Sequence, residues 1–125
     1  MLKVKTYIDK SPIAGLGCFA AEVIPKGTVI WTFQDGFDTV IPKETYEGLP
    51  ERAKRFILNF CYFDQKKQSC IMCMDNAKYF NHAIDPNCSH DGEDTIASRD
   101  IFPGEEITEN YYTFDAWADS KLIWS

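Results

Sequence analysis

Three short stretches hold the residue types that could do chemistry. In "YFNHAIDPNC", Tyr79 to Cys88, an amide and an imidazole stand together at Asn81 and His82, behind two aromatic rings. A side-chain amide both donates and accepts hydrogen bonds, so the pair suits either a satisfied corner of a core or one wall of a ligand site. In "AGLGCFAA", Ala14 to Ala21, Gly15 and Gly17 flank Leu16. Backbone N–H groups without a Cβ between them can approach an anionic group on a ligand, and an ordinary tight turn would use the same residues. The third stretch, "RDIFPGEEITENYY", Arg99 to Tyr112, carries an acidic pair after a Pro-Gly turn and ends in two phenols.

A metal is not expected to hold these pieces together. Cys70 and Cys73 form a C-x-x-C, and Cys61 and Cys88 could complete a four-ligand zinc set. However, "SCIMCMD" alternates like a strand, which places Cys70 and Cys73 on opposite faces. His82 and His90 are the only histidines, and neither has a spaced partner set. Five cysteines without an export signal also argue against a disulfide framework, so buried, unpaired thiols are expected.

The elements that would position the three stretches read as mostly β. Lys3 to Asp9 alternates as a strand, and "SPIAGLGCFAA" is a Pro/Gly loop running into a short apolar strand. "VIPKGTVIWTF" is a strand, a Pro-Lys-Gly turn and a second strand. Two helices follow. A short one starts at Pro42; the other is "PERAKRFILNFCYF", with Pro50 in its first turn and Ala53, Phe56, Ile57, Phe60 and Cys61 at helical spacing. From Gln68 the chain returns to strands, with turns at Asp85-Pro86-Asn87, Asp91-Gly92 and Pro103-Gly104. "AAEVIPKGTVI" and "ASRDIFPGEEI" share one template: Ala20 with Ala97, Ile24 with Ile101, Gly27 with Gly104, Ile30 with Ile107. That echo predicts two similar hairpins, each closed by a turn that needs glycine.

At 125 residues the chain fits a single domain, 1–125, and its 45% hydrophobic and 14% aromatic content predicts a packed core. Apolar runs are too short to span a membrane, and "MLKVKTYIDK" lacks a signal peptide's apolar core. An intracellular protein without a membrane partner is expected. A formal net charge of −6 argues against direct nucleic-acid binding and suits a basic, lysine-containing partner.

Taken in order, "AGLGCFAA", "NAKYFNHAIDPN" and "RDIFPGEEITENYY" resemble the SET-domain protein-lysine methyltransferases, over about 11–112. The resemblance implies a β-clip type fold of several short sheets and one or two short helices. It also implies a knot-like crossing in which the last conserved strand threads under a loop near Asn81-His82. The chain looks like a minimal member without cysteine-rich flanking modules, similar to small viral, bacterial and archaeal ones. Such a protein would be nuclear in a eukaryotic or viral setting and cytoplasmic or nucleoid-associated in a prokaryotic one.

The resemblance also assigns residues. Ala14, Gly15, Leu16 and Gly17 fall on the loop that holds the methionine end of S-adenosylmethionine. Asn81 and His82 fall on the pair that contacts the cofactor's amino group and adenine, with Tyr79 and Phe80 packing beside them. Tyr111 falls on the catalytic tyrosine. Arg99, Glu105 and Glu106 are expected to brace a strand by charge pairing or to sit in a solvated turn. Ala83 and Ile84 replace the usual Ser-Cys. Glu109 stands where the family often has a Phe or Tyr that limits methyl number; its carboxylate either attracts an ammonium or turns away while Tyr112 fills the space.

The implied reaction is transfer of a sulfonium methyl to a lysine amine, on a basic segment of a histone or histone-like chromatin protein. A free lysine has a pKa near ~10.4, so the site must favour its uncharged form. A channel walled by Tyr111, Tyr62, Tyr112 and Glu109 would do this, with Tyr111 orienting the amine rather than acting as a base. The tail 113–125, "TFDAWADSKLIWS", is too apolar to be free. It packs over the adenine through Trp117 or Phe114, or forms a core helix, or supplies half of a homodimer contact. Two other classes stay open at this point: a SET-fold module that binds cofactor or basic peptide without turnover, and an unrelated small β-clip interaction domain.

Overall fold

The computed structural model describes residues 1–91 and 93–123. Gly92 of the expected Asp91-Gly92 turn and Trp124 of the tail lie outside the described residues, as do the side chains of Leu122 and Ile123. Strand β1 (Thr6–Lys10) pairs antiparallel with β2 (Leu16–Ala20), from Thr6 opposite Ala20 to Lys10 opposite Leu16. The expected first strand thus begins at Thr6 rather than Lys3, although Leu2 makes an isolated bridge to Trp31. The Gly15 loop forms the tip of this hairpin, where Ser11 N–H donates to Gly15 O at 2.9 Å.

The two echoing segments do not close hairpins on themselves. They pair with each other across a local two-fold. Ile24 and Ile101 exchange both backbone hydrogen bonds at 2.8 Å. Gly27 N–H donates to Ala97 O, and the equivalent Gly104 N–H donates to Ala20 O; Ala97 N–H bonds Thr28 O, and Ala20 N–H bonds Glu105 O. Both turns are type II, closed by Thr28 N–H to Pro25 O and Glu105 N–H to Phe102 O. Gly27 (φ 88°) and Gly104 (φ 93°) hold the left-handed position that a type II turn requires. The predicted strand at Val23–Ile24 is reduced to a single bridge, because its partner is the other repeat rather than its own continuation.

Two three-stranded sheets make up the body. In one, β9 (Asp94–Ala97) lies between β3 (Val29–Thr32) and β8 (Cys88–His90); in the other, β6 (Ser69–Met72) lies between β4 (Thr39–Pro42) and β5 (Cys61–Asp64). The main core is built on Trp31, Ile24, Ile30, Ile71, Ile101 and Ile107. Cys70 packs in a second cluster with Ile57, Cys61 and Phe63, while Cys73 packs in the main one. All five cysteines are buried, and among the described residues none forms a disulfide.

Helix α1 (Lys43–Glu47) follows Pro42, and α2 (Glu51–Phe60) follows Pro50, which sits at its N-cap. The predicted second helix overruns here: Cys61, Tyr62 and Phe63 belong to β5, whose four residues are all buried. A short, wholly apolar run has no distinguishing period, and two-sided burial is what the strand position demands. Phe56, expected on the buried face, is 53% exposed.

The C-terminal crossing brings the functional stretches together. Strand β10 (Thr108–Glu109) runs parallel to β7 (Asn81–His82), pairing Thr108 with Asn81 and Glu109 with His82. Asn87 staples the intervening loop across it: its Nδ2 donates to Glu106 O at 2.8 Å, and its Oδ1 accepts from Thr108 N–H at 2.9 Å. Helix α3 (Ala118–Ile123) then packs near α2.

Candidate functional site

Asn81 is pinned to the Gly15 loop. Its Nδ2 donates to Ala14 O (3.2 Å), Leu16 O (3.1 Å) and Glu106 Oε2 (2.8 Å). The Glu106 carboxylate also accepts from Ser11 Oγ at 2.8 Å, so loop, β7 and the approach to β10 meet at one carboxylate. This corrects the solvated or charge-pairing role expected of Glu106; Glu105 does stay at the turn, accepting from Phe102 N–H. The two glycines differ in their surroundings. Gly15 adopts φ 47°, with open space where a Cβ would stand. Gly17 is required by packing, since its Cβ would lie 2.4 Å from Glu106 Oε2.

His82 serves the other end of the same pair. Its Nδ1 accepts the Tyr111 backbone N–H at 3.0 Å, and burial lowers its pKa, which favours the neutral imidazole that can accept. Tyr111 Oη donates to Phe80 O. Together these contacts border a cavity of about 490 Å³ lined by the Ala14–Leu16 loop, Tyr79, Phe80, Asn81, His82 and Tyr111. That volume suits a nucleoside-sized ligand. Ile13, Asn59, Phe60 and Lys78 also line it, and none was expected at a ligand site. Asn59 and Phe60 end α2, where the apolar period pointed to core packing alone.

Behind Tyr111 the cavity adjoins a waist of about 30 Å³, with which it shares Phe60, Lys78, Phe80 and Tyr111. Tyr62 and Glu109, both expected in a channel, line the waist. Trp31, His90 and Phe114 complete its ring-rich wall; His90 stacks on Phe114 with centroids 4.2 Å apart. Across Tyr62, His90 and Phe114 the waist adjoins an outer groove of about 400 Å³ that carries Asp64, Asp91 and Glu93 beside Lys66. The waist thus shares lining residues with both larger spaces. Burial pushes the phenols of Tyr111 and Tyr62 well above the usual range; the carboxylates of Glu109 and Asp115 reinforce this at Tyr111, and Cys73, Asp64 and Glu109 at Tyr62.

Two expected site residues lie elsewhere. Tyr112 is 57% exposed and meets His82 edge-on from outside, so it does not fill the space by Glu109. Trp117 stacks on Phe63, with centroids 4.3 Å apart, and packs against Tyr46 in the second cluster rather than lining the large cavity. The cause is Asp115, whose buried carboxylate accepts from Phe63 N–H and Trp117 N–H. It ties the tail to β5, sending Phe114 to the waist and Trp117 away from it. Among the described residues no cluster of three or more histidines, cysteines or acids could hold a metal.

The family described as "SET domain" matches residues 15–112. The histone-lysine N-methyltransferase 2D of Homo sapiens is 32% identical over 132 residues, covering 97% of this chain and 2% of that protein. The histone-lysine N-methyltransferase trr of Drosophila melanogaster is 29% identical over 94% of this chain and 5% of its own length. The chain therefore spans only a few per cent of these curated relatives. Among solved structures, a putative histone methyltransferase of Plasmodium falciparum superposes with a TM-score of 0.63 at 24% identity, covering 88% of this chain and 95% of that one. The Chaetomium thermophilum Polycomb Repressive Complex 2 bound to GSK126 gives a TM-score of 0.72 at 21% identity, over 97% of this chain and 17% of that one.

Proposed function

Because the chain belongs to the SET-domain family, we propose that it is an S-adenosylmethionine-dependent protein-lysine N-methyltransferase acting on a basic segment of a histone or histone-like chromatin protein. The observation that carries this reading is a ring-walled waist that shares Tyr111 with the large cavity and Tyr62, His90 and Phe114 with the acidic outer groove. S-adenosylmethionine, when bound, supplies an electrophilic methyl group on a sulfonium.

The residues of the large cavity fit that group. The Ala14–Gly17 loop offers backbone polar groups for its amino-acid end, and Lys78 is the lining cation available to a carboxylate. Asn81, anchored through Nδ2, keeps Oδ1 as an acceptor for an ammonium, while Tyr79, Phe80 and His82 give ring surface for a base. The narrow waist would confine an amine to one line of approach, the alignment an in-line displacement requires. Tyr111 remains a neutral phenol near pH 7, so it orients the amine and does not remove its proton. Asp64, Asp91 and Glu93, with the net charge of −6, favour a lysine-rich segment at the outer groove.

The test is incubation of the purified chain with methyl-labelled cofactor and mixed basic proteins, followed by mass spectrometry of the labelled products. Label on lysine side chains is expected, and the spectrum reports site and methyl count. Tight cofactor binding without transfer to any of them would contradict the enzyme reading and leave a binding module.

A further inference from the structure

The waist contains a buried polar cluster around Glu109. Glu109 is 5% exposed, and its Oε2 accepts from His90 Nδ1 at 3.2 Å and Thr95 Oγ1 at 3.4 Å. Among the described residues, every side-chain hydrogen bond of this carboxylate goes to Oε2. Trp31 Nε1 and His90 Nε2, on residues that border the same space, are buried and find no partner among the described residues. Orphaned buried polar atoms are uncommon and costly, and here they border about 30 Å³ of empty space. That room suits one small polar group. The His90 ring is held between Phe114 and Trp31, so its grip on Glu109 is fixed by packing.

The titratable groups facing Glu109 from neighbouring elements are His90 and Cys88 on β8, Tyr62 on β5, Cys73 after β6, Tyr111 after β10, and Lys78. Burial raises the thiols of Cys73 and Cys88 and the phenols of Tyr62 and Tyr111, and the Glu109 charge adds to each. Those four stay protonated near neutrality. Among the described residues Glu109 is the carboxylate that lines the waist, and His90 holds it by a hydrogen bond.

We propose that Glu109 is the proton acceptor for the target lysine, a role that rests on the methyltransferase reading. An N–H bond of the ammonium breaks, its electron pair stays on nitrogen as the attacking lone pair, and the proton bonds to Glu109 Oε1. His90 is a positioning residue: by holding Oε2 it presents Oε1 to the waist. The carboxylate where a ring was expected is then an adaptation for deprotonation rather than a sign of lost turnover.

The experiment compares wild type, Glu109→Gln and His90→Asn on a lysine peptide and on a twin whose lysine is replaced by the less basic S-(2-aminoethyl)cysteine, across pH. For Glu109→Gln the account expects kcat on the lysine peptide to fall about 100-fold near neutrality. The deficit shrinks towards pH ~10.4, where lysine loses its own proton, and is smaller for the aminoethyl twin. His90→Asn gives a weaker loss of the same pH dependence. A deficit equal at every pH and for both peptides would overturn the proposal, as would undiminished Glu109→Gln turnover. If Glu109→Gln does not fold, wild type alone decides: similar neutral-pH rates on the two peptides support an internal acceptor, and a large advantage for the less basic amine refutes it. A folded wild type that binds cofactor but methylates neither peptide would instead sink the methyltransferase reading.

Discussion

Gly17 on β2 and Glu106 before β10 show how residues far apart in sequence become one device. The Gly17 position leaves room for a carboxylate that Ser11 and Asn81 hold by 2.8 Å hydrogen bonds. Gly17→Ala should therefore displace Glu106, destabilise the fold by about 2 kcal/mol and weaken cofactor binding. In a Glu106→Ala background the same substitution should cost about 1 kcal/mol less. Urea titration and calorimetry check both, and additive costs would separate the two residues. Glu106 was not legible beforehand, because a Gly-Glu-Glu turn offers the same letters whether its second carboxylate meets solvent or a buried amide. Asn81 and His82 were legible as a pair, but that their side chains clamp Ala14, Leu16 and Tyr111 depends on chain crossings that no local pattern encodes.

At the scale of elements, the misplacements have two causes. Cys61–Phe63 reads on as helix because a short apolar run has no distinguishing period until β6 pairs with it, and the two Pro-Gly echoes read as hairpins because each one's partner is the distant other. Glycine turns, helix starts behind proline and strand alternation were legible because each depends on local sterics. Trp117 was misplaced because ring surface alone does not say which ring it meets; Asp115 decides that. Trp117→Ala should remove the stack on Phe63 and lower stability by about 2 kcal/mol, leaving cofactor affinity within about 3-fold, a difference of at most ~0.7 kcal/mol. Thermal unfolding and calorimetry test this. A large affinity loss at unchanged stability would put the indole back over the ligand.

At the scale of the whole molecule, three buried thiols tie stability to pH. Burial raises Cys18 from 9.0 to about 12 and also raises Cys73 and Cys88. Below the unfolded value of 9.0 both states keep these protons, so the stabilisation is fully present. Above it only the unfolded chain releases them, and each thiol costs about 1.4 kcal/mol per pH unit until its folded value is reached. Urea midpoints should fall steeply above pH 9, and a flat profile would mean the thiols are not sealed. Tyr111 lines both the large cavity and the waist, so the proposed meeting point of amine and methyl donor lies at its ring. Its phenol is the point to probe: Tyr111→Phe, assayed for cofactor binding by calorimetry and for turnover on a lysine substrate. Cofactor affinity within about 3-fold of wild type, with kcat down about 100-fold, is the predicted result. Unchanged turnover, or a loss that tracks cofactor binding alone, would contradict a meeting point at that ring.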